Sequence, residues 1–330
     1  YGARQVGKTW LLQEFGSQEY ESVAYINCDE VADMKGIFYD FNTERLIRMF
    51  SAISGIAIKP EKTLIILDEI QEVPAGLTSL KYFCENAHEY HIAVAGSLLG
   101  IGLHEGSGFP VGKVDEINLY PLSFKEYLYF DDYTKDLPLT ERFNVYLNNG
   151  GIPYVYATNE EFIREGYLTD IFSTIIMKDI LMRNNVRDYY LLENILKYVA
   201  YNTGNIISSK KITDYLISNG RKTNNKTVEN YLKMLENAYI IYKCNRYDIK
   251  GKLLLKTLPK YYIVDNGLKN VILNSNENKG FALETIVFFE LLRRGYKVNV
   301  GKLRNGEVDF IASNSKEELY IQVSLSISNE

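Results

Sequence analysis

The sequence predicts an α/β protein that starts with a parallel-sheet domain and continues into two smaller domains. A short apolar run ends in the carboxylates Asp68 and Glu69, as expected for a strand buried on both faces of a parallel sheet. Strand-like and helix-like segments alternate between Ser22 and Gly96. This alternation is typical of parallel strands joined by right-handed helical crossovers.

The chain opens on a segment with the spacing of a phosphate-binding loop, or P-loop. It fits the pattern Gly, four residues, Gly-Lys-Thr, and its residues are Gly2, Ala3, Arg4, Gln5, Val6, Gly7, Lys8 and Thr9. The glycines let backbone N–H groups point at a polyphosphate. We expect Lys8 to reach the β- and γ-phosphates and the Thr9 hydroxyl to bind Mg²⁺. A P-loop follows a strand, and only Tyr1 precedes this one, so the first strand is expected to be missing.

The apolar run 63–67 supplies the second half of the same site, because ligands bind at the carboxyl ends of parallel strands. Asp68 is predicted to hold Mg²⁺ through water, and Glu69 to polarise the attacking water. Ser97 follows the next predicted strand. It is either a sensor of the γ-phosphate or a serine that caps a turn.

Composition and charge narrow the remaining classes of function. Three cysteines and three histidines lie without the spacing of metal ligands, so neither a disulfide framework nor a zinc site is expected. No apolar run has the length of a membrane span and no signal peptide is visible, so we expect a cytoplasmic protein without a membrane partner. Residues 1–159 carry a net charge of −10, whereas residues 160–275 carry +6. A basic middle region suits nucleic acid, although a solvated surface also explains it.

Five motifs, in order, resemble those of the prokaryotic AAA-like P-loop ATPases that carry a C-terminal domain of unknown function. They are Gly-Ala-Arg-Gln-Val-Gly-Lys-Thr, Leu-Asp-Glu-Ile-Gln, Ala-Gly-Ser, Tyr-Pro-Leu-Ser-Phe-Lys-Glu-Tyr and Gly-Gly-Ile-Pro. The resemblance implies an ASCE-type P-loop domain over residues 1–150, a helical linker and winged helix over 151–275, and a degenerate restriction-endonuclease-like domain over 276–330. It also implies ATP and Mg²⁺ as cofactors.

The family usually has Gly-Arg before the strand that leads to the Pro-Leu-Ser motif, where this chain has Gly112-Lys113. We therefore assign no arginine finger. A second subunit or another protein is expected to complete the ATPase site.

The basic region itself has the pattern of a winged helix, with three amphipathic helices followed by two apolar segments joined at a turn. The third helix of such a module enters the major groove of DNA when the module binds DNA. The candidate phosphate contacts are Lys222, Lys226, Lys233, Lys250 and Lys252. Winged helices also serve as protein-interaction modules or spacers, so both partners remain open.

The last segment resembles a PD-(D/E)xK nuclease site with two of its residues replaced. Glu284 and Asp309 occupy acidic places, whereas Gln322 and Ser324 stand where a second acid and a lysine are needed. Loss of a ligand charge and of the activating cation argues against nuclease activity.

Together these patterns predict an ATP-binding, slowly hydrolysing switch protein that couples nucleotide state to the winged helix across a hinge at Gly150-Gly151. The first alternative is a DNA- or protein-binding regulator with a structural nucleotide site. The second is a Mg²⁺-dependent nuclease.

Overall fold

The computed structural model describes residues 1–97, 112–184, 186, 188–249, 253–275, 279–303 and 306–326. Helices and parallel strands alternate in its first part, which confirms the α/β class. The residues form two compact units. The first consists of residues 1–2 and the described part of 7–119, and the second of residues 3–6 and the described part of 120–330. The domain boundaries expected at residues 150 and 275 stay predictions.

The first unit contains a parallel sheet with helices along the chain between its strands. Its strands are β1 (Ser22–Asn27), β2 (Thr63–Asp68) and β3 (His91–Val94), in the order β1-β2-β3. Its helices are α1 (Lys8–Glu19), α2 (Met34–Ile37), α3 (Thr43–Ser54) and α4 (Pro74–Asn86), with a 3₁₀ turn at Ile70–Glu72.

Strand β2 is the centre of this unit, and all six of its residues are buried. It pairs in parallel with β1 from Ser22↔Thr63 to Asn27↔Asp68, and with β3 on its other side. A strand covered on both faces must be apolar throughout, which explains the continuous run that ends at Asp68. Residues from the strands and helices form the core: Ile26, Phe38, Leu46, Phe50, Ile65, Leu67, Ile70 and Phe83.

The second unit is richer in helix and contains a sheet of its own. Its helices are α5 (Phe124–Phe130), α6 (Leu139–Asn149), α7 (Glu161–Thr174), α8 (Tyr189–Tyr201), α9 (Ser209–Ser218), α10 (Asn225–Asn237), α11 (Asn266–Leu273) and α12 (Lys279–Arg293). A 3₁₀ segment covers Pro153–Ala157, and a π-helical segment continues α7 over Ile175–Met182. Within the described ranges, no helix is both long enough and apolar enough to cross a membrane.

The sheet of the second unit joins the predicted hairpin to the C-terminal strands. Its strands are β4 (Ile241–Asp248), β5 (Leu253–Ile263), β6 (Lys297–Leu303), β7 (Gly306–Ser313) and β8 (Glu318–Ile321), in the order β5-β4-β6-β7-β8. Strands β4 and β5 are antiparallel, as a wing would be. Strand β4 also pairs in parallel with β6, from Arg246↔Val300 to Asp248↔Lys302. The hairpin is therefore part of a larger sheet and not an isolated wing.

The three helices expected before this hairpin are present, and each starts at a side-chain cap. Asp188, Ser208 and Asn224 accept hydrogen bonds from the backbone N–H groups three residues later. Helix α8 begins at Tyr189, directly after its cap Asp188.

The segment around the Pro-Leu-Ser motif agrees with expectation in one part and differs in another. The motif contains Ser-Phe-Lys-Glu, which has the spacing of a capping box, and Ser123 and Glu126 form one at the start of α5. Residues 115–120, which correspond to the strand expected before the Pro-Leu-Ser motif, have no regular secondary structure. The Tyr1 amino group donates to the Ile117 carbonyl oxygen, and the Leu119 N–H donates to the Tyr1 carbonyl oxygen.

The Gly150-Gly151 turn is buried inside the second unit and is held by Asp265. The Gly151 N–H and the Leu268 N–H donate to the two Asp265 carboxylate oxygens, at 2.5 and 3.0 Å. Gly150 has a φ of +79°, and a Cβ atom there would lie 2.1 Å from the Asp265 carboxylate. The turn expected to be a free hinge is thus fastened within this unit. Burial raises the pKa of Asp265 to about 6, although the backbone N–H groups stabilise its charged form.

This pKa predicts a pH dependence of stability. Because the pKa is higher in the folded chain than its ordinary value of 3.8, the protonated form is favoured by folding. Protonated Asp265 therefore contributes about 3 kcal/mol to the free energy of unfolding. This contribution is complete below pH 4 and is lost as the pH rises through 6. Urea unfolding between pH 4 and 7 should show this loss in the native chain and not in Asp265→Asn. The exposed Asp136→Asn is the control, and equal pH profiles for all three chains would contradict the assignment.

Candidate functional site

The P-loop turns into helix α1 at Gly7, which has a φ of +95° and precedes the first helical residue, Lys8. Gly2 has a φ of +148°, and a Cβ atom there would lie 2.0 Å from the carbonyl oxygen of Leu119. Both positions therefore need glycine. The loop ends at a helix N-terminus, where N–H groups and the helix dipole favour an anion.

The two predicted halves of the site meet at a hydrogen bond between Thr9 and Asp68. The Thr9 hydroxyl donates to the Asp68 carboxylate at 2.6 Å, at the carboxyl end of β2. Asp68 is 5% exposed, and its other oxygen accepts the Glu69 N–H at 3.0 Å. A hydroxyl and a carboxylate at this distance are hard oxygen donors of the kind that Mg²⁺ prefers. These residues fit a magnesium ion.

Lys8 lies beside the loop that precedes it. Its ammonium donates to the carbonyl oxygen of Gly2 at 2.9 Å. The side chain therefore reaches back to the first residue of the loop.

Glu69 has a left-handed backbone conformation, with a φ of +51°, directly after β2. The side-chain amide of Gln71 donates to the Glu69 carboxylate. This contact orients the candidate base. Gln71 was missed as a site residue, although it belongs to the Leu-Asp-Glu-Ile-Gln motif in which Asp68 and Glu69 were recognised.

Tyr25 of β1 is a further residue that sequence reasoning missed. Its hydroxyl donates to the Asp68 carboxylate at 3.1 Å, beside the Thr9 contact. Burial and the Asp68 charge raise the pKa of Tyr25, so it remains a donor. Burial, with the charges of Asp68 and Glu69, also raises the pKa of Cys28 to about 12 and keeps this thiol protonated. Only the parallel pairing of β1 with β2 brings these residues to Asp68.

Ser97 lies three residues after the end of β3 and is 2% exposed. Its hydroxyl has no hydrogen-bond partner among the residues that the structure describes. A buried hydroxyl without a partner is uncommon. This hydroxyl could donate a hydrogen bond to a bound group or accept one from it.

The middle of the P-loop, residues 3–6, belongs to the second unit. Ala3 and Val6 are buried, and Gln5 has a positive φ of +61°. The Arg4 guanidinium binds both carboxylate oxygens of Asp179, at 2.6 and 2.7 Å. Asp179 lies in the π-helical segment and is 3% exposed. No sequence signal identifies this ion pair, because its residues are 175 positions apart.

The candidate DNA contacts are only partly described. Lys222, Lys226 and Lys233 are exposed. Lys226 and Lys233 lie on α10, and Lys222 precedes the cap of this helix. Lys250 and Lys252 lie outside the described residues. The structure also brings together Glu284 and Asp309 of the nuclease-like pattern, with Lys260 between them.

Two protein-family models match successive parts of the chain. The family model described as "AAA domain" matches residues 1–128, and a model described as "domain of unknown function (DUF8612)" matches residues 140–279. An uncharacterized protein of Haemophilus influenzae is 34% identical over 330 residues, which cover 99% of this chain and 82% of the relative. An uncharacterized protein of Methanocaldococcus jannaschii is 28% identical, with coverage of 99% and 74%.

Among solved structures, the chain is similar to a Walker-type ATPase of Pyrococcus abyssi. The TM-score is 0.55 at 19% sequence identity, over 82% of this chain and 89% of the other. At this identity the likeness supports the fold. The 34% identical relative and the two family models show that the chain belongs to the family of AAA-like P-loop proteins that carry a C-terminal domain of unknown function.

Proposed function

We propose that this chain binds ATP with Mg²⁺, hydrolyses it slowly, and uses its nucleotide state as a switch. The observation that carries the proposal is the 2.6 Å hydrogen bond from Thr9 to Asp68. Two motifs 59 residues apart in sequence bring together the Thr9 hydroxyl, which would be a Mg²⁺ ligand, and the Asp68 carboxylate, which would hold the ion through water.

In this proposal the P-loop binds the phosphates through its backbone N–H groups and through Lys8. The ammonium exchanges its bond to the Gly2 carbonyl for the β- and γ-phosphate oxygens. Bound Mg²⁺ supplies charge neutralisation on the phosphates, and Thr9 and Asp68 would hold it.

Glu69 is the proposed general base. Its carboxylate accepts a hydrogen bond from the Gln71 amide, which restricts the side chain, and it would polarise the attacking water. The buried Ser97 hydroxyl is the proposed sensor of the γ-phosphate, because it has no other partner among the described residues. Without an assigned arginine finger, hydrolysis by the isolated chain is slow, since such a residue contributes about 10³–10⁵ in rate. A second subunit or another protein is proposed to complete the site.

A DNA- or protein-binding regulator with a structural nucleotide site is the second candidate. It is favoured by the exposure of Lys222, Lys226 and Lys233 around α10, the third of three consecutive helices. Exposed lysines supply electrostatic affinity for phosphates, and such contacts carry no sequence information.

We expect Lys8→Ala to abolish ATP binding and Glu69→Gln to bind ATP but hydrolyse it about 10²–10⁴-fold more slowly, as loss of a general base predicts. Equilibrium binding of ATP and steady-state phosphate release measure the two effects. The exposed Lys35→Ala and Glu19→Gln are matched controls with the same changes of charge. Normal turnover by Glu69→Gln would leave Glu69 without a catalytic role, whereas ATP binding without turnover by the native chain would favour the structural nucleotide site.

The magnesium assignment predicts a difference between two substitutions of Thr9. Thr9→Ser keeps the hydroxyl and should retain hydrolysis, whereas Thr9→Ala should raise the Mg²⁺ concentration needed for half-maximal rate. Chelation of divalent ions should stop phosphate release in every active variant. Equal Mg²⁺ requirements for the serine and alanine variants would remove Thr9 from the ion's ligands.

The DNA-binding alternative predicts a change in salt dependence. Replacing Lys222, Lys226 and Lys233 by glutamine should weaken duplex binding and reduce the slope of log K against log salt by about 0.9 per phosphate contact. Fluorescence anisotropy with two unrelated duplexes measures the slope. A triple replacement of the exposed Lys125, Lys297 and Lys316 is the control for net charge. Equal losses in both triples would show that the contacts are not localised at α10.

A further inference from the structure

A lysine is buried at the centre of the nuclease-like residues in the second unit. Lys260 of β5 is 2% exposed. Its ammonium lies 3.1 Å from Glu284, 3.0 Å from Glu307 and 3.6 Å from Asp309. We call these four residues the Lys260 cluster. Sequence reasoning missed both Lys260 and Glu307 as members of this group.

The cluster is assembled from separate elements of the fold. Lys260 comes from β5, Glu284 from α12, and Glu307 and Asp309 from β7. In the sheet, β5 and β7 are separated by β4 and β6, so no local pattern places these residues together.

Other polar groups fix two of the carboxylates. The Tyr262 hydroxyl donates to Glu284 at 2.6 Å. The Gln322 amide and the Val323 N–H donate to one oxygen of Asp309, at 2.6 and 2.8 Å. Gln322, which stands where the nuclease pattern has an acid, therefore binds the neighbouring acid as a donor.

Three carboxylates around one point, two of them buried, need a cation, because an uncompensated charge in a low-dielectric interior is strongly unfavourable. Carboxylate oxygens are also the donors that divalent cations prefer. Here Lys260 supplies the cation. Burial opposes its charged form, but Glu284 and Glu307 outweigh this and raise the pKa of Lys260.

We propose that the Lys260 ammonium is the resident cation of this cluster and occupies the position that a divalent metal ion would take between the same carboxylates. The cluster then joins β5, β7 and α12 as an ion-pair site, and it excludes Mg²⁺ and Mn²⁺ by charge and by volume. Removing the ammonium converts it into a divalent-cation site.

The experiment measures Mn²⁺ binding by electron paramagnetic resonance in the full chain without nucleotide. Every variant also carries Asp68→Asn, which removes a ligand of the proposed P-loop magnesium site. The parent should bind no Mn²⁺ at the cluster, and Lys260→Ala should gain one bound ion. Adding Asp309→Asn to Lys260→Ala should abolish the gain. Lys269→Ala removes a second buried lysine outside the cluster and should gain nothing.

Thermal unfolding with and without Mn²⁺ keeps the test decisive if Lys260→Ala is unstable. Stabilisation of Lys260→Ala or Lys260→Met by Mn²⁺, absent from the parent, supports the proposal. Failure of both variants to gain Mn²⁺ overturns it. Mn²⁺ binding or Mn²⁺-dependent DNA cleavage by the parent that is lost in Asp309→Asn also overturns it, because the cluster would then be open to metal.

Discussion

The hydrogen bond between Thr9 and Asp68 is the interaction on which the candidate site depends. It joins the start of α1 to the carboxyl end of β2, the strand buried over its whole length. A carboxylate that is 5% exposed needs donors, and Thr9, Tyr25 and the Glu69 N–H supply them. The position of this carboxylate then determines where Glu69 emerges, because it is the next residue along the chain.

The second unit is organised around buried charges that are satisfied in different ways. Asp265 is stabilised by backbone N–H groups of the Gly150-Gly151 turn and of α11. Asp179 is paired with Arg4, and Lys260 with its carboxylates. In each case removal of one partner would leave a buried charge, which costs far more than the pair contributes. These contacts therefore specify how distant segments meet within the unit.

The same buried charges changed the interpretation of two sequence patterns. Gly-Gly-Ile-Pro is typical of a segment that interrupts regular secondary structure, and it predicts a hinge at Gly150-Gly151. Asp265, 114 residues later, fastens the turn. The tail pattern lacks its cation, because Ser324 stands where the nuclease pattern has a lysine. Lys260, from a strand assigned to another domain, places an ammonium among the carboxylates instead.

Local signals are enough to predict those parts of the protein that depend on a few neighbouring residues. The loop with Gly2, Gly7 and Lys8, the buried strand ending at Asp68, and the Ser123 cap could be predicted, because glycine conformation, burial and capping act over a few residues. The partnership of Asp68 with Tyr25, the Arg4–Asp179 pair and the Lys260 cluster were decided only by tertiary structure. The bonded partners are between 24 and 175 positions apart, and they meet because of strand order and packing, which no short pattern records.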